Sequence, residues 1–254
     1  MKGIKEVKIV AGELIGSIVF LTMLYGSVAQ FVFGVMSFYT ICVAHVIGLA
    51  CGIYISRHLS GGHLNPAVTI ALCVYRNPRD FKYIPLYFIG QFLGAFLAAA
   101  IVYGLYQGHI DAVDPGFTVP GAENVGLTPT AGIFGTYPAA AASTGSCVLA
   151  ELIGTMFLMM SIMAVTDADS QVNSTFGPFI IGLALGGVGL GMGSIAGFSV
   201  NPARDFGARV FTSIMYGSKV FSVSNYYFWV PLTMPFLGAL GGGGLYKLVH
   251  YSTK

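Results

Sequence analysis

Charged residues are scarce in this chain of 254 residues: Asp, Glu, Lys and Arg together make up 9% of it. Soluble domains average about 25% charged residues, so a soluble fold would have too little polar surface. Hydrophobic residues make up 55% of the chain. The composition therefore indicates an integral membrane protein rather than a soluble domain.

The residue patterns typical of metal sites, nucleic-acid binding and enzyme active sites are also missing from the sequence. The four cysteines have no metal-like spacing, and we expect small core residues rather than disulfides or metal ligands. They are Cys42, Cys51, Cys73 and Cys147. The net charge of +2 comes without a basic cluster, so nothing points to nucleic acid. We find no nucleophile paired with a base, no phosphate-binding loop and no metal-ligand constellation, so we expect neither enzyme activity nor a cofactor.

Six apolar runs are long enough to cross a bilayer, which takes about 20 helical residues. The predicted spans are 9–32, 39–56, 83–106, 146–166, 176–193 and 226–250. Two shorter apolar runs remain, at 66–75 and 202–214. Since a helix rises about 1.5 Å per residue, each covers roughly half a bilayer. Each is therefore predicted to be a re-entrant half-helix or an interfacial segment.

Lysine and arginine mark the cytoplasmic side of a membrane protein. They precede the first predicted span, follow the second and close the chain: Lys2, Lys5, Lys8, Arg57, Arg76, Arg79, Lys82, Lys247 and Lys254. The connection 107–145 has none, but it carries Asp111, Asp114 and Glu123. Both termini are therefore predicted to be cytoplasmic and this connection external, with the plasma membrane as the default location. The loop 166–175 should be cytoplasmic by the same count, yet it has no positive charge.

Two short stretches of the sequence occur twice. GGHLNPAVTI at 61–70 returns as AGFSVNPARD at 196–205, and GELIGS at 12–17 returns as AELIGT at 150–155. Each half therefore has a span with an early Glu, a second span, an Asn-Pro-Ala half-helix and a third span. Three spans is an odd number, so the halves are predicted to be inverted, with their site near the membrane midplane. The single domain 1–254 thus comprises a first repeat, 9–106, an external loop, 107–145, and a second repeat, 146–250.

The repeated tripeptide predicts a helix start, because Pro is favoured at the first helical position and Asn is a good N-cap. Two such starts would meet in mid-membrane, each with about half a positive charge. Non-helical backbone at this depth must line water or protein. The pattern therefore predicts a narrow polar pore with two central amide donors and a field that repels cations and protons. The tripeptides are Asn65, Pro66, Ala67 and Asn201, Pro202, Ala203; the predicted pore-lining carbonyls belong to Gly61, Gly62, His63, Leu64, Gly197, Phe198, Ser199 and Val200.

The motifs SGGHLNPAVT at 60–69 and GFSVNPARDFGAR at 197–209 are highly specific. On these motifs the chain resembles the aquaporin, or major intrinsic protein, family over essentially its whole length. The resemblance implies the aquaporin fold: an all-α membrane protein with six transmembrane helices and two re-entrant half-helices in an inverted repeat. It also implies a homotetramer with a pore in every protomer. Glu13 and Glu151 would be buried acceptors that support the re-entrant loops, with coupling of proton transport as the alternative.

Further residues match the glycerol-conducting branch of the family, the aquaglyceroporins. Asp205 directly follows the second motif, Arg209 comes four residues later, and Pro231 and Leu232 lie in the last span. The stretch AGIFGTYP at 131–138 matches as well. We expect Asp205 to support its loop rather than to touch solute.

Four positions set the narrowest point in this family, and they correspond here to His45, Gly189, Phe198 and Arg204. Arg204 would supply a fixed charge and donors for adjacent hydroxyl groups, Gly189 would leave room, and Phe198 would be an apolar wall. Glycerol facilitators usually have Trp in place of His45, and the segment 44–67 is similar to plant vacuolar members that conduct water, urea and ammonia. His45 therefore predicts weaker selection for glycerol and more water flow, unless it points away from the pore and satisfies a helix carbonyl. The side chain of His63 is expected to be structural rather than a gate.

These observations leave four functional hypotheses. The first, which we predict, is a passive channel for glycerol and water in a lipid bilayer, with urea, ammonia and arsenite as further candidate solutes. The second is a channel mainly for water, ammonia or urea. The third is a secondary transporter, which would need charged coupling groups in the pore. The fourth, a structural or adhesive protein, would leave the doubled half-helix without a purpose.

Overall fold

The computed structural model describes residues 3–122 and 127–251, and these residues form helices and turns with no β-strand. The α-helices are α1 (Ile4–Val32), α2 (Phe38–Ser56), α3 (Pro66–Tyr75), α4 (Ile84–Val113), α5 (Thr144–Val165), α6 (Gly177–Ala196), α7 (Pro202–Tyr216), α8 (Lys219–Tyr226) and α9 (Trp229–Tyr251). Two 3-10 turns cover Pro78–Tyr83 and Ala131–Ile133. Lys2, Glu123 and Lys254, used above for orientation, lie outside the described residues.

The predicted spans correspond to α1, α2, α4, α5, α6 and α9. Among the described residues, five helices are long and apolar enough to cross a membrane, and a sixth is found when α8 and α9, which meet at 70°, count as one span. The short helix α8 was not predicted. The helix α4 continues past the predicted end of its span at 106 as far as Val113, so the non-helical connection to α5 is 114–143. The extra turns form although they are polar, since Ile110 packs into the core with no exposed surface.

The two half-helices begin where the tripeptides predict. Asn65 precedes α3 and its side chain accepts the N–H of Ala67, while Asn201 precedes α7 and accepts the N–H groups of Ala203 and Arg204. Most residues of the first turns of α3 and α7 are buried inside the bundle. These segments are therefore re-entrant rather than interfacial, and both predicted N-caps are confirmed.

Glycines bring the long helices together in the same way in both halves. Gly90 and Gly94 of α4 face α1, and Gly238 and Gly242 of α9 face α5. A Cβ atom would lie 2.8 Å from a backbone carbonyl oxygen of the facing helix at Gly90 and 3.0 Å at Gly94, and closer still at the other two. Such small residues let helix backbones approach closely in a membrane. The inverted repeat thus extends to the contacts between helices.

The loop between α5 and α6, which has no Lys or Arg, is bound by arginines of the first half. Arg57, just after α2, donates Nη1 to the carbonyl of Ser174 at 3.2 Å. Arg76, just after α3, donates to the carbonyl of Thr166 and lies 3.5 Å from the Asp167 carboxylate. The loop therefore lies on the same side of the protein as these arginines, although its own sequence carries no positive charge.

Candidate pore and selectivity filter

The two Asn-Pro-Ala segments meet in the middle of the bundle and bind each other. Asn65 donates Nδ2 to the carbonyl of Val200 at 2.8 Å, and Asn201 donates Nδ2 to the carbonyl of Leu64 at 2.8 Å. A side-chain amide has two N–H hydrogens, so each Asn can donate one more hydrogen bond. The carbonyls of Leu64 and Val200, predicted to line the pore for solute, each accept one of these cross-links.

Two buried glutamates hold the segments that lead into the half-helices. Glu13 of α1 and Glu151 of α5 each accept hydrogen bonds from the backbone N–H groups of two successive residues. The pairs are His63 (3.0 Å) and Leu64 (2.7 Å) for Glu13, and Ser199 (2.7 Å) and Val200 (2.7 Å) for Glu151. The two glutamates are thus placed as the family resemblance implies, and both carboxylates accept hydrogen bonds from the loops.

The held segments contain a strained backbone that the sequence did not predict. Leu64, Phe198 and Val200 have φ values of 52°, 37° and 42°, in the left-handed region that L-residues rarely adopt. Each such residue costs about 1–3 kcal/mol and persists only where the surroundings enforce it. The paired hydrogen bonds to Glu13 and Glu151 supply that enforcement at or next to each strained residue.

A cavity of about 670 Å³ leads from the loop between α5 and α6 to the centre of the bundle. Arg57 and Arg76 line its outer end, while Asn65, Asn201 and His45 line it further in. Of the residues predicted to contribute carbonyls, Gly61, Gly62, His63, Leu64, Ser199 and Val200 line the cavity; Gly197 and Phe198 do not. The cavity therefore reaches from that loop to both Asn-Pro-Ala motifs and to His45, whereas Gly189, Phe198 and Arg204 are not among its lining residues.

His45 satisfies a helix carbonyl and lines the cavity at the same time. Its Nδ1 lies 2.8 Å from the carbonyl oxygen of Ile41. Because a carbonyl only accepts, Nδ1 carries the hydrogen and Nε2 is an acceptor in the neutral ring. Nε2 is buried without a hydrogen-bond partner in the described part of the chain, and the ring centroid is 4.5 Å from that of Phe198. The hydrogen bond to a helix carbonyl is thus present, yet the ring does not point away from the cavity; its place in the filter stays a prediction.

The room left by Gly189 is occupied by Phe198. A Cβ atom at Gly189 would lie 2.8 Å from the Phe198 ring and 3.0 Å from the sulfur of Cys42, and one at Gly193 would lie 2.5 Å from the same ring. Gly189 and Gly193 therefore leave the room in which the Phe198 ring packs against α6. Gly193 and Cys42 were not predicted as neighbours of the filter. The sequence indicates Gly193 only by its place one helical turn after Gly189, and it gives no indication of Cys42.

Hydrogen bonds fix both the backbone carbonyl and the guanidinium of Arg204. The Tyr25 hydroxyl donates to the Arg204 carbonyl at 2.5 Å, and Arg204 donates Nη1 to the carbonyl of Phe134 at 3.0 Å. Its Nε is buried and has no hydrogen-bond partner among the described residues. Arg204 thus has one N–H donor, and His45 one acceptor, without a hydrogen-bond partner in the described part of the chain. Neither Tyr25 nor Phe134 was predicted, since one lies far away in the sequence and the other acts through its backbone.

Asp205 and Arg209 form a buried ion pair behind Arg204. The Asp205 carboxylate accepts Arg209 Nε at 2.7 Å and both the N–H and the hydroxyl of Thr136 at 2.6 Å. Arg209 also donates to the carbonyls of Thr136 and Val220, each at 2.6 Å. Asp205 is not among the residues that line the cavity. It ties the α4–α5 connection to α7, which is the position expected for a residue that supports the loop.

Comparison with known proteins agrees with this geometry. The Major intrinsic protein family model matches residues 1–246. Aquaglyceroporin-2 of Rhizophagus irregularis is 40% identical over 245 residues, covering 94% of this chain and 76% of the relative. Aquaglyceroporin-3 of Trypanosoma brucei brucei is 38% identical over 239 residues, covering 93% and 76%. The X-ray structure of the aquaglyceroporin from Plasmodium falciparum matches with a TM-score of 0.86 and 31% identity, covering 98% of each chain. The chain therefore belongs to the major intrinsic protein family.

Proposed function

We propose that this protein is a passive channel for glycerol and water, with His45, Gly189, Phe198 and Arg204 as its selectivity filter. The observation that carries the proposal is that these residues combine an aromatic ring with two polar atoms that have no hydrogen-bond partner among the described residues. Arg204 Nε can donate to a hydroxyl, His45 Nε2 can accept from one, and Phe198 offers an apolar surface to carbon. A polyol presents a hydroxyl side and a C–H side, so it matches this surface. The aquaglyceroporin names of the relatives support the same solutes.

A channel mainly for water, ammonia or urea is the second candidate. The observation in its favour is that His45 offers an acceptor where a Trp would offer none, and it is smaller than Trp. Arsenite belongs to the same range of small uncharged solutes. A transporter coupled to protons is disfavoured, since Glu13 and Glu151 are committed to backbone N–H groups. The proposal includes homotetramers, which the family resemblance supports. It also includes cytoplasmic termini, which the distribution of Lys and Arg supports, with the plasma membrane as the default location.

The test compares water and glycerol permeability in proteoliposomes by stopped-flow light scattering. Wild type is expected to pass both. His45→Trp should lower water permeability by roughly tenfold, the effect of losing one good hydrogen bond at the constriction, and should affect glycerol less. Ile47→Trp is the matched control, because residue 47 lies on the same helix with 48% of its surface exposed. A wild type that passes water but almost no glycerol would overturn the glycerol proposal, and a flux that saturates and follows the proton gradient would indicate a transporter.

A further inference from the structure

A carboxylate without a role in the proposed function is buried where α4 ends. Asp114 caps the C-terminus of α4 and has no exposed surface. Its two oxygens accept the N–H of Thr118 at 3.0 and 2.8 Å, and Oδ2 also accepts the N–H of Thr130 at 3.0 Å and its hydroxyl at 2.7 Å. Hydrogen bonds to an ionised group are about twice as strong as neutral ones. Asp114 therefore fixes two points of the α4–α5 connection.

Thr130 extends this attachment to α7. Its single hydroxyl hydrogen is donated to Asp114, so the Tyr216 hydroxyl, 2.8 Å away, is the donor in the hydrogen bond between the two hydroxyl groups. Tyr216 is the last residue of α7, the half-helix that begins at the second Asn-Pro-Ala motif. Thr130 is thus bound both to the end of α4 and to the end of α7.

A short hydrogen-bonded segment connects Thr130 to the filter. The 3-10 turn Ala131–Ile133 starts directly after Thr130, with the N–H of Ile133 bound to the Thr130 carbonyl at 3.0 Å. Phe134 follows, fully buried, and its carbonyl accepts Nη1 of Arg204 at 3.0 Å. Thr130 and the carbonyl that accepts from Arg204 therefore lie four positions apart in a hydrogen-bonded stretch of chain.

We propose that Asp114 is a positioning residue for the selectivity filter: by fixing Thr130 it sets the place of the Phe134 carbonyl and, through it, of the Arg204 guanidinium. The inference rests on the proposed function, in which Arg204 binds solute hydroxyl groups. Without the carboxylate, the connection shifts and the guanidinium moves into the lumen. Such a movement obstructs glycerol more than water, because glycerol is the larger solute and needs its hydroxyl groups aligned with Arg204.

The experiment measures water and glycerol permeability per reconstituted channel for Asp114→Ala and Asp114→Asn. Asp111→Asn is the control, since it removes an exposed acid from the same end of α4. Asp114→Ala should lower the ratio of glycerol to water permeability about tenfold, the size of effect expected when a displaced Arg204 loses one hydrogen bond to glycerol. Asp114→Asn should fall between, because an amide oxygen still accepts from Thr130. Asp111→Asn should leave the ratio unchanged.

An unchanged ratio in Asp114→Ala would overturn the inference and leave Asp114 as a purely structural residue. If that variant does not reach the membrane, Thr130→Val decides, because it removes the hydroxyl link while keeping the side-chain shape. A lowered ratio in Thr130→Val supports the inference, and an unchanged ratio overturns it. If wild type conducts water but no glycerol, the proposed function fails on its own. The inference is then judged on water permeability per channel, which Asp114→Ala must change and Asp111→Asn must not.

Discussion

Gly242→Ala is expected to lower the free energy of unfolding by about 3 kcal/mol or more, the upper range for overpacking a well-packed core. The new Cβ atom would overlap the backbone carbonyl of Met156 on α5, and a carbonyl within a helix cannot rotate away as a flexible side chain can. To relieve this overlap, α9 would have to move away from α5. The measurement is the midpoint of thermal unfolding in detergent micelles, followed by circular dichroism.

The neighbouring glycine provides the control for that experiment. Gly241 has open space where its Cβ would be, so Gly241→Ala should be neutral or slightly stabilising, because alanine favours a helix by about 1 kcal/mol over glycine. The two variants differ by one position and share the same chemical change. Equal midpoints for Gly241→Ala and Gly242→Ala would show that the close crossing of α5 and α9 does not limit stability.

Asp205→Asn is expected to destabilise the protein by about 3–5 kcal/mol, the cost of leaving one member of a buried ion pair without its partner. Asp205 and Arg209 are each 1% exposed, so water cannot replace the lost carboxylate. The same substitution weakens the attachment of Thr136 and should also lower glycerol permeability per folded channel. Thermal unfolding and the permeability assay report the two effects separately.

A second substitution distinguishes the ion pair from other effects of Asp205→Asn. Adding Arg209→Met removes the uncompensated charge, so the double variant should be no less stable than Asp205→Asn alone. Strictly additive losses in the double variant would contradict the idea that the unpaired guanidinium causes the instability. In that case the carbonyls of Thr136 and Val220, which Arg209 also satisfies, would account for the loss.

The elements that the sequence predicts best are those whose cause is local. Asn65 and Asn201 start helices because an Asn followed by Pro carries its own cap, and the three spans counted in each half predicted that the halves are inverted. The start of α8 and the turn after it carry no such pattern. At the end of α8, Ser224, Asn225 and Tyr226 have positive φ without a glycine among them, so the residue that most often marks such a kink is missing.

The parts of the site that escaped prediction depend on contacts between distant residues. Phe134 binds Arg204 across 70 positions through a backbone carbonyl, and every residue has such a carbonyl. Likewise, spacing cannot tell Gly241 from Gly242, since only the packing of α9 decides which one faces α5. For His45 the residue type allowed either a hydrogen bond to the helix or a side chain that faces the cavity, and the two nitrogens of the imidazole ring allow both.

The crossed hydrogen bonds between the two Asn-Pro-Ala segments also have a consequence for the order of events during translation. The carbonyl of Leu64 is bound by an amide that lies 137 residues later, and Asn65 binds a carbonyl that lies 135 residues later. When the ribosome has completed only the first half, neither partner yet exists. The first re-entrant loop therefore cannot reach its final form until the second arrives. We expect the centre of the pore to form in a single late event, after α5 and α6 have been made and the second re-entrant segment has followed them.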